Sequence, residues 1–389
     1  MLFTDYQNGH LNLKNRVVRS ATADPEIFIN NCIKDVTVKR YEDLAKANVA
    51  MIITGDFPVT SQDMLTTSAE NWKNYDYSPL RVHGIKKLVE RVRLKSKQVT
   101  FIAQLSTGFI MRIPSDYNSP FGDLGMEVLT IAECKAIVKS FAETAKEFQN
   151  SGFDGVQIHA AHGGPLSLFL SPLTNTRDDQ YGDPTQLFKE IRDEVKKSCG
   201  DFPVLIKMNC TDYMPNGLTK EAFHRIATGL AEAGYDGIEV SGGIWDCLNR
   251  SEESLGFPPQ PSAEAHTKLS SPEKQSYFRS WIKDLILPIP IILVGGNRNK
   301  NICNEILSSG DADLISFCRP FISGTDFIKS WESSSENNTN CINCNACLYE
   351  LYEIPNGFAT PIRCVYKEDK TEFKKGVRWG REWVEKNFP

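Results

Sequence analysis

The fold class predicted for this 389-residue chain is a single α/β domain, a (β/α)8 barrel of the TIM type with a short cysteine-bearing C-terminal extension. Three observations predict it. Eight short apolar, β-branched runs alternate with amphipathic helical stretches, the pattern of βαβ units whose parallel strands are buried on both faces. The helix-to-strand junctions repeat one plan. The residues that end the runs are polar or glycine-rich, as expected at the C-terminal mouth of a barrel, where such folds keep their sites.

The runs fall at 15–22 (NRVVRSAT), 49–55 (VAMIITG), 98–105 (QVTFIAQL), 153–160 (FDGVQIHA), 202–209 (FPVLIKMN), 235–242 (YDGIEVSG), 290–296 (PIILVGG) and 312–319 (ADLISFCR). Helix-like segments lie between them, for example at 131–150 and 219–233. The junctions NSGFDGVQI, EAGYDGIEV and SSGDADLIS each stop a helix at a glycine, Gly152, Gly234 or Gly310, where a residue without Cβ takes the left-handed C-cap cheaply. Two connections are long, 106–130 after the third run and 243–270 after the sixth, and loops of that length are usually functional covers or disordered. The polar stretch ESSSENNTN (332–340) reads as a linker, so the barrel is placed at 1–331 and the linker with its extension at 332–389.

Composition narrows the function classes. Hydrophobic residues make up 41% and charged residues 24%, an ordinary globular mixture that excludes a disordered or collagen-like chain. The net charge of −5 gives no basic field for nucleic acid. No apolar run approaches the ~18 residues of a membrane helix, and the start and end carry no secretory or lipidation signal. A soluble, cytoplasmic protein acting on a small molecule is expected, with homo-oligomerisation left open. Eleven cysteines, an odd number, argue for reduced thiols rather than a disulfide framework.

The strand ends supply the candidate site: Ser20, Ala21, Thr22 and Ala23; Gly55 and Asp56; Gln104; His159 and His162; Lys207; Gly295, Gly296 and Asn297; Cys318 and Arg319. The last two sets follow the seventh and eighth runs, where many barrels hold a phosphate on glycine N–H groups. The plain alternative makes Gly-Gly a turn and Arg319 a helix cap. For Lys207 it is a lysine snorkelling from the core edge, and for the histidines a pair of satisfied structural rings. A metal on His-x-x-His lacks a third ligand nearby.

The segment from Val156 to Asp183, VQIHAAHGGPLSLFLSPLTNTRDDQYGD, resembles the signature block of the Old Yellow Enzyme family of FMN-dependent NADH:flavin oxidoreductases and ene-reductases. It matches at His159, Ala161, His162, Gly163, Phe169, Leu170, Ser171, Pro172, Asn175, Arg177, Asp179, Tyr181 and Gly182. LKNRVVRSAT, IAQL, VLIKMNCTD, VGGN and ADLISFCRP follow in that family's order, so the resemblance covers about 1–330. It implies FMN across the barrel mouth, with Ser20 to Ala23 along the isoalloxazine ring and Gln104 at its pyrimidine edge. Lys207 would sit near N1 and the C2 carbonyl, and Gly295, Gly296, Asn297, Cys318 and Arg319 would hold the phosphate. It also implies NADH or NADPH as hydride donor and His159 and His162 as catalytic donors to the carbonyl of an electron-poor acceptor: an α,β-unsaturated carbonyl, a quinone or similar.

The chain departs from that family in four places. Gly164 stands where a proton-donating tyrosine is usual, with Tyr117, Tyr213 and His266 as replacement candidates. Thr107 and Phe109 replace a histidine and an arginine after Gln104, and Cys318 replaces a glycine beside the phosphate. The tail resembles the cysteine-bearing extension of dienoyl-CoA reductases, without room for their FAD and NADPH domains. Its Cys341, Cys344, Cys347 and Cys364 leave two residues between Cys344 and Cys347 and sixteen between Cys347 and Cys364, one residue short in the tight loop of that branch's [4Fe–4S] ligands and longer in the last interval. A cluster, a zinc ion and uncommitted thiols all stay open for these four. Two alternative functions follow: an iron–sulfur reductase of the dienoyl type, or a flavin-binding protein that has lost turnover.

Overall fold

The eight apolar runs form eight parallel strands that close on themselves in sequence order, and a computed structural model describes residues 1–24, 32–59, 83–108, 112–116, 127–244, 247, 251–255, 276–334, 336–344, 346–348 and 362–368. The barrel strands are β1 (Val17–Arg19), β2 (Met51–Pro58), β3 (Thr100–Ser106), β4 (Gly155–Ala160), β5 (Val204–Asn209), β6 (Gly237–Ser241), β7 (Ile291–Leu293) and β8 (Leu314–Phe317). β8 pairs with β1, and β5 with β6, so no strand edge is left in the barrel. The helices that follow them are α1 (Asp35–Lys46), α2 (Ile85–Lys95), α3 (Ile131–Asn150), α4 (Gln186–Cys199), α5 (Lys220–Glu232), α6 (Arg279–Ile282), α7 (Lys300–Ser309) and α8 (Asp326–Glu332).

Helical spacing explains how they pack. In α4, Leu187, Phe188, Ile191 and Val195 repeat at the three-to-four interval that lays one apolar stripe on the sheet, and all four are buried. Thr130 and Glu133 form a reciprocal capping box at the start of α3. Gly152, Gly234 and Gly310 adopt the positive φ expected of them, at 94°, 91° and 73°.

One element was not anticipated. Tyr6–Asn8 and Leu11–Leu13 form an antiparallel hairpin whose Tyr6, Leu11 and Leu13 pack on Val18, Met51, Ile53, Ile102, Leu205, Ile292 and Leu314. These residues are the apolar inner layer near the N-terminal ends of the strands, so the hairpin plugs that end of the barrel and leaves the other as the mouth. Of the connection after β3, the described part holds two short parallel strands, Arg112–Ile113 and Glu127–Val128. Phe109, Tyr117, His266 and most of the connection after β6 lie outside the described residues. Among the described residues, no helix is long and apolar enough to cross a membrane.

Candidate active site

Strand periodicity builds the floor of the site. Side chains two apart share a face, so the inward apolar residues Val18, Ile102, Leu205 and Leu314 are followed on the same face by Ser20, Gln104, Lys207 and Ser316, one layer nearer the mouth. Gln104 Nε2 donates to Gln157 Oε1 at 2.7 Å, Gln157 Nε2 donates to Glu239 Oε2 at 3.0 Å, and Ser316 Oγ donates to Glu239 Oε1 at 2.7 Å. Lys207 Nζ donates to Ser20 Oγ at 3.0 Å and lies 3.8 Å from Glu239 Oε2, with Lys207 and Glu239 both buried. A buried charge is tolerated only when paired and hydrogen-bonded, and this belt meets that condition. Gln157 and Glu239 were missed in the sequence, although a glutamate inside the apolar run GIEVSGG was a readable signal.

β2 departs from regular pairing. Its register to β3 runs Ile53 to Ile102 and then Asp56 to Gln104, so Thr54 and Gly55 together oppose Ala103. Such a bulge re-aims the side chains beyond it. A Cβ on Gly55 would stand 2.6 Å from the Thr22 carbonyl and 2.7 Å from Asp24 Oδ2, so only glycine admits this approach of β2 to the segment after β1. That segment is anchored by the buried Asp24, which pairs with Arg40 at 2.7 Å and accepts a short hydrogen bond from Tyr41. Gly55 N donates to Tyr41 Oη at 2.9 Å, and the Arg19 guanidinium lies 5.2 Å from the centre of the Tyr41 ring. Gly55 thus sets the backbone, whereas Asp56 reaches the cavity. Ser106 Oγ donates to Asp56 Oδ2 at 2.8 Å. Burial pushes the Asp56 carboxyl up to about 6 and Asp24 adds to the rise, while the Ser106 hydroxyl, a backbone N–H and Lys207 oppose it.

His159, one residue before the end of β4, lies beside Lys207 in the strand register, and its ring centre lies 5.4 Å from that of His162 in an edge-to-face arrangement. His162 takes a left-handed backbone, φ 66°, which histidine adopts more readily than most residues. Its N–H is held by Asn209 Oδ1 at 3.1 Å, and its Nε2 lies 2.7 Å from Ser241 Oγ. The rest of the signature block is scaffold. Arg177 pairs bidentately with Asp179 and donates to the carbonyls of Pro114 and Leu129 at 2.6 Å each, fastening the connection after β3 to the mouth. Asn175 Nδ2 holds the carbonyls of Phe169 and Tyr181 at 2.9 Å. Gly164 precedes the short helix Pro165–Leu170 with an ordinary extended backbone and only the Ala161 carbonyl, at 3.6 Å, near its Cβ position.

After β7, Gly295 and Gly296 take φ values of 100° and 75°, and Cβ atoms there would meet Phe278 at 2.8 Å and Tyr277 at 2.7 Å. These two glycines form a bare backbone cradle. Asn297 spends its side chain on shaping it, donating to the carbonyls of Leu293 and Ser316 at 2.8 and 3.1 Å and accepting from Ser276 at 2.6 Å. Cys318 Sγ lies 3.2 Å from Thr22 Oγ1.

One cavity gathers these residues. Ala21, Thr22, Ala23, Asp56, Gln104, His159, His162, Lys207, Gly295, Gly296, Asn297, Cys318 and Arg319 all line it. Ser20 and Gly55 lie immediately behind its wall, Ser20 through its bond from Lys207 and Gly55 against the Thr22 backbone and next to Asp56. Ser241, the last residue of β6, lines it as a strand-end residue should. Phe278 and Ser316 line it too and were not anticipated, nor was Asn343, which reaches Tyr277 Oη at 3.1 Å. From the tail, Cys341 and Cys347 face the same cavity. Cys344 and Cys364 do not line it but interact electrostatically with Cys341, and burial raises the thiols of Cys344, Cys347 and Cys364. Among the described residues, no three His, Cys, Asp or Glu side chains converge on a single metal ion.

This donor set fits FMN. An amide and a buried cation face the cavity from the strand ends, and beyond them lie a bare glycine backbone, packed against Phe278 and Tyr277 where a Cβ would clash, and an arginine for a phosphate.

A family model described as NADH:flavin oxidoreductase / NADH oxidase matches residues 1–338. A metal reductase of Desulforamulus reducens is 26% identical over 383 residues, covering 94% of this chain and 53% of that protein. An NADH oxidase of Thermoanaerobacter brockii is 25% identical over 362 residues, covering 88% of this chain and 52% of that one. The chain therefore spans about half the length of these relatives. An Old Yellow Enzyme homologue from Zymomonas mobilis superposes with a TM-score of 0.65 at 19% identity, covering 92% of this chain and 98% of that one, which supports the barrel fold.

Proposed function

Because the chain belongs to the NADH:flavin oxidoreductase / NADH oxidase family, we propose that it is an FMN-dependent enzyme that oxidises NADH or NADPH and reduces an electron-poor acceptor, an α,β-unsaturated carbonyl, a quinone or similar. The observation that carries the reading is the single cavity in which Gln104, Lys207, the His159–His162 pair and the Gly295–Gly296 cradle meet. Bound FMN would supply the hydride-transfer chemistry that no side chain here provides. Lys207, fixed by Ser20 and Glu239, would hold a positive charge where the flavin gains negative charge. His159 and His162 would donate to the acceptor's carbonyl oxygen, each such bond lowering the barrier by roughly 3–4 kcal/mol as charge grows there. Ser241 keeps the His162 ring aimed. Gly295, Gly296 and Arg319 would hold the phosphate, with Asn297 shaping the loop. FMN titrated into flavin-free protein tests the reading: quenching of its fluorescence is expected, with at least tenfold weaker binding in Arg319→Ala, and unquenched flavin in the wild type would refute it.

A second reading has an observation of its own. Cys341 and Cys347 line this cavity, and Cys344 and Cys364 each interact electrostatically with Cys341, although among the described residues no three of these side chains converge on one metal ion. Iron and acid-labile sulfide in anaerobically purified protein would establish the dienoyl-type reductase. Their absence would leave these cysteines as plain thiols beside the flavin.

A further inference from the structure

We propose that Asp56 is a catalytic acid–base residue, taking up a proton as the site is reduced and releasing it as the acceptor is reduced. The inference rests on the flavin reading above and names a group that reading does not use.

The argument begins with parity. Met51 and Ile53 point into the barrel, and strict alternation would carry Gly55 inward and Asp56 outward. The extra residue at 54–55 reverses that phase, placing Asp56 opposite the inward Gln104 on the cavity wall. The bulge closes only because Gly55 lacks a Cβ. The chain therefore departs from regular strand geometry at the one point that turns a carboxyl toward the proposed cofactor. Ser106 holds that carboxyl at 2.8 Å, and Gly108 N in turn donates to Ser106 Oγ at 3.0 Å, so the hydroxyl proton is committed to Asp56. Among the described residues, the charged groups acting on Asp56 are Asp24 from the segment after β1 and Lys207 from β5, beside the polar Gln104 and Ser106 of β3. Neither charge sits in an ion pair with it. The carboxyl is therefore poised to exchange a proton near neutrality.

Chemistry supplies the need. Reducing a C=C bond takes a hydride and a proton, and Gly164 offers no hydroxyl for the second. NAD(P)H delivers the hydride and leaves as the oxidised nicotinamide, and the site gains one negative charge. That charge disfavours a neighbouring carboxylate, so Asp56 takes a proton from water. When the hydride moves on to the acceptor, Asp56 returns the proton, directly or through a water molecule, to the anion formed there. The sum is NAD(P)H, one proton and the unsaturated acceptor giving NAD(P)⁺ and the saturated product.

The test is the midpoint potential of the flavin-loaded protein against pH, measured by equilibration with a reference dye and without nicotinamide or acceptor. Each extra proton bound on two-electron reduction changes the equilibrium constant tenfold per pH unit, about 30 mV. Wild type is expected to be steeper than Asp56→Asn by that amount above pH about 6. Parallel slopes would overturn the proposal while leaving flavin binding intact. Ser106→Ala keeps the carboxyl and removes a bond that favours its charged form, so the onset of the steep region should move to higher pH. An unmoved onset would equally overturn the assignment, and this variant decides the matter alone if Asp56→Asn does not load flavin. Wild-type protein that binds no FMN would remove both this inference and the reading beneath it.

Discussion

Replacing Lys207 by methionine should destabilise the flavin-free protein by an amount set by Glu239, rather than by the lost packing of a lysine stem. Nζ and Oε2 are 3.8 Å apart, and both residues are buried. At an effective dielectric of ~20, Coulomb's law gives roughly 4 kcal/mol for such a pair. Removing one partner from a buried ion pair costs about 3–5 kcal/mol, because the remaining charge is stranded. The two figures agree. Glu239 would keep its bonds from Gln157 and Ser316, but two neutral donors do not neutralise a buried carboxylate. Lys207→Met/Glu239→Gln leaves no charge to strand and retains an acceptor for Ser316, so it should recover most of the loss, to within about 1.5 kcal/mol of wild type, the cost of a conservative core swap. Urea unfolding followed by tryptophan fluorescence measures all three proteins. If the double variant is as unstable as Lys207→Met alone, the stranded-charge argument is wrong and packing governs the cost.

Other outcomes follow from the same geometry. Gly55→Ala forces a Cβ to within 2.6 Å of the Thr22 carbonyl, and the strain of roughly 1–3 kcal/mol should weaken FMN binding about tenfold or more in a fluorescence titration. In flavin-free protein, Asp56 holds its proton to about 6 when folded but only to the ordinary value of 3.8 when unfolded. Its contribution is therefore fully present below pH 3.8 and lost as pH rises through about 6. Wild type should lose stability relative to Asp56→Asn by up to about 1.4 kcal/mol per pH unit across that window, and an unchanged difference between the two urea curves would count against it. Gly164→Tyr meets no neighbour closer than 3.6 Å at Cβ and restores a hydroxyl. It should speed reduction of a simple cyclic enone by about 10²–10⁴-fold if proton delivery limits turnover, whereas an unchanged steady-state rate would show that delivery is already met.

How much of this was legible in the sequence follows from the length scale of each interaction. All eight strands were placed, because buried parallel strands read as continuous apolar runs. The glycine caps were placed because a positive φ is a local demand. Thirteen of the candidate cavity residues meet in one cavity, since the end of a strand is where barrel geometry sends them. The N-terminal hairpin escaped because three-residue strands carry too few positions for alternation to show. The bulge at Thr54–Gly55 escaped for another reason: it depends on the register against β3, and nothing in TGDF announces a slipped pairing. It is also why Asp56 was found among the strand-end candidates without its inward aim being recognised. The signature block divides on inspection into His159 and His162, which face the cavity, and Arg177, Asp179 and Asn175, which hold the loop that frames it. The resemblance had already singled out the two histidines; the scaffold role of the other three is read only from their hydrogen bonds.

The central claim, that this barrel binds FMN and takes hydride from a nicotinamide, is tested most directly by the visible spectrum of the FMN-loaded protein under anaerobic conditions before and after NADH, and then NADPH. The account predicts flavin bands that bleach with at least one nucleotide and return on adding a quinone or enone. Bands that persist under both nucleotides would contradict it and leave a flavin-binding barrel without turnover.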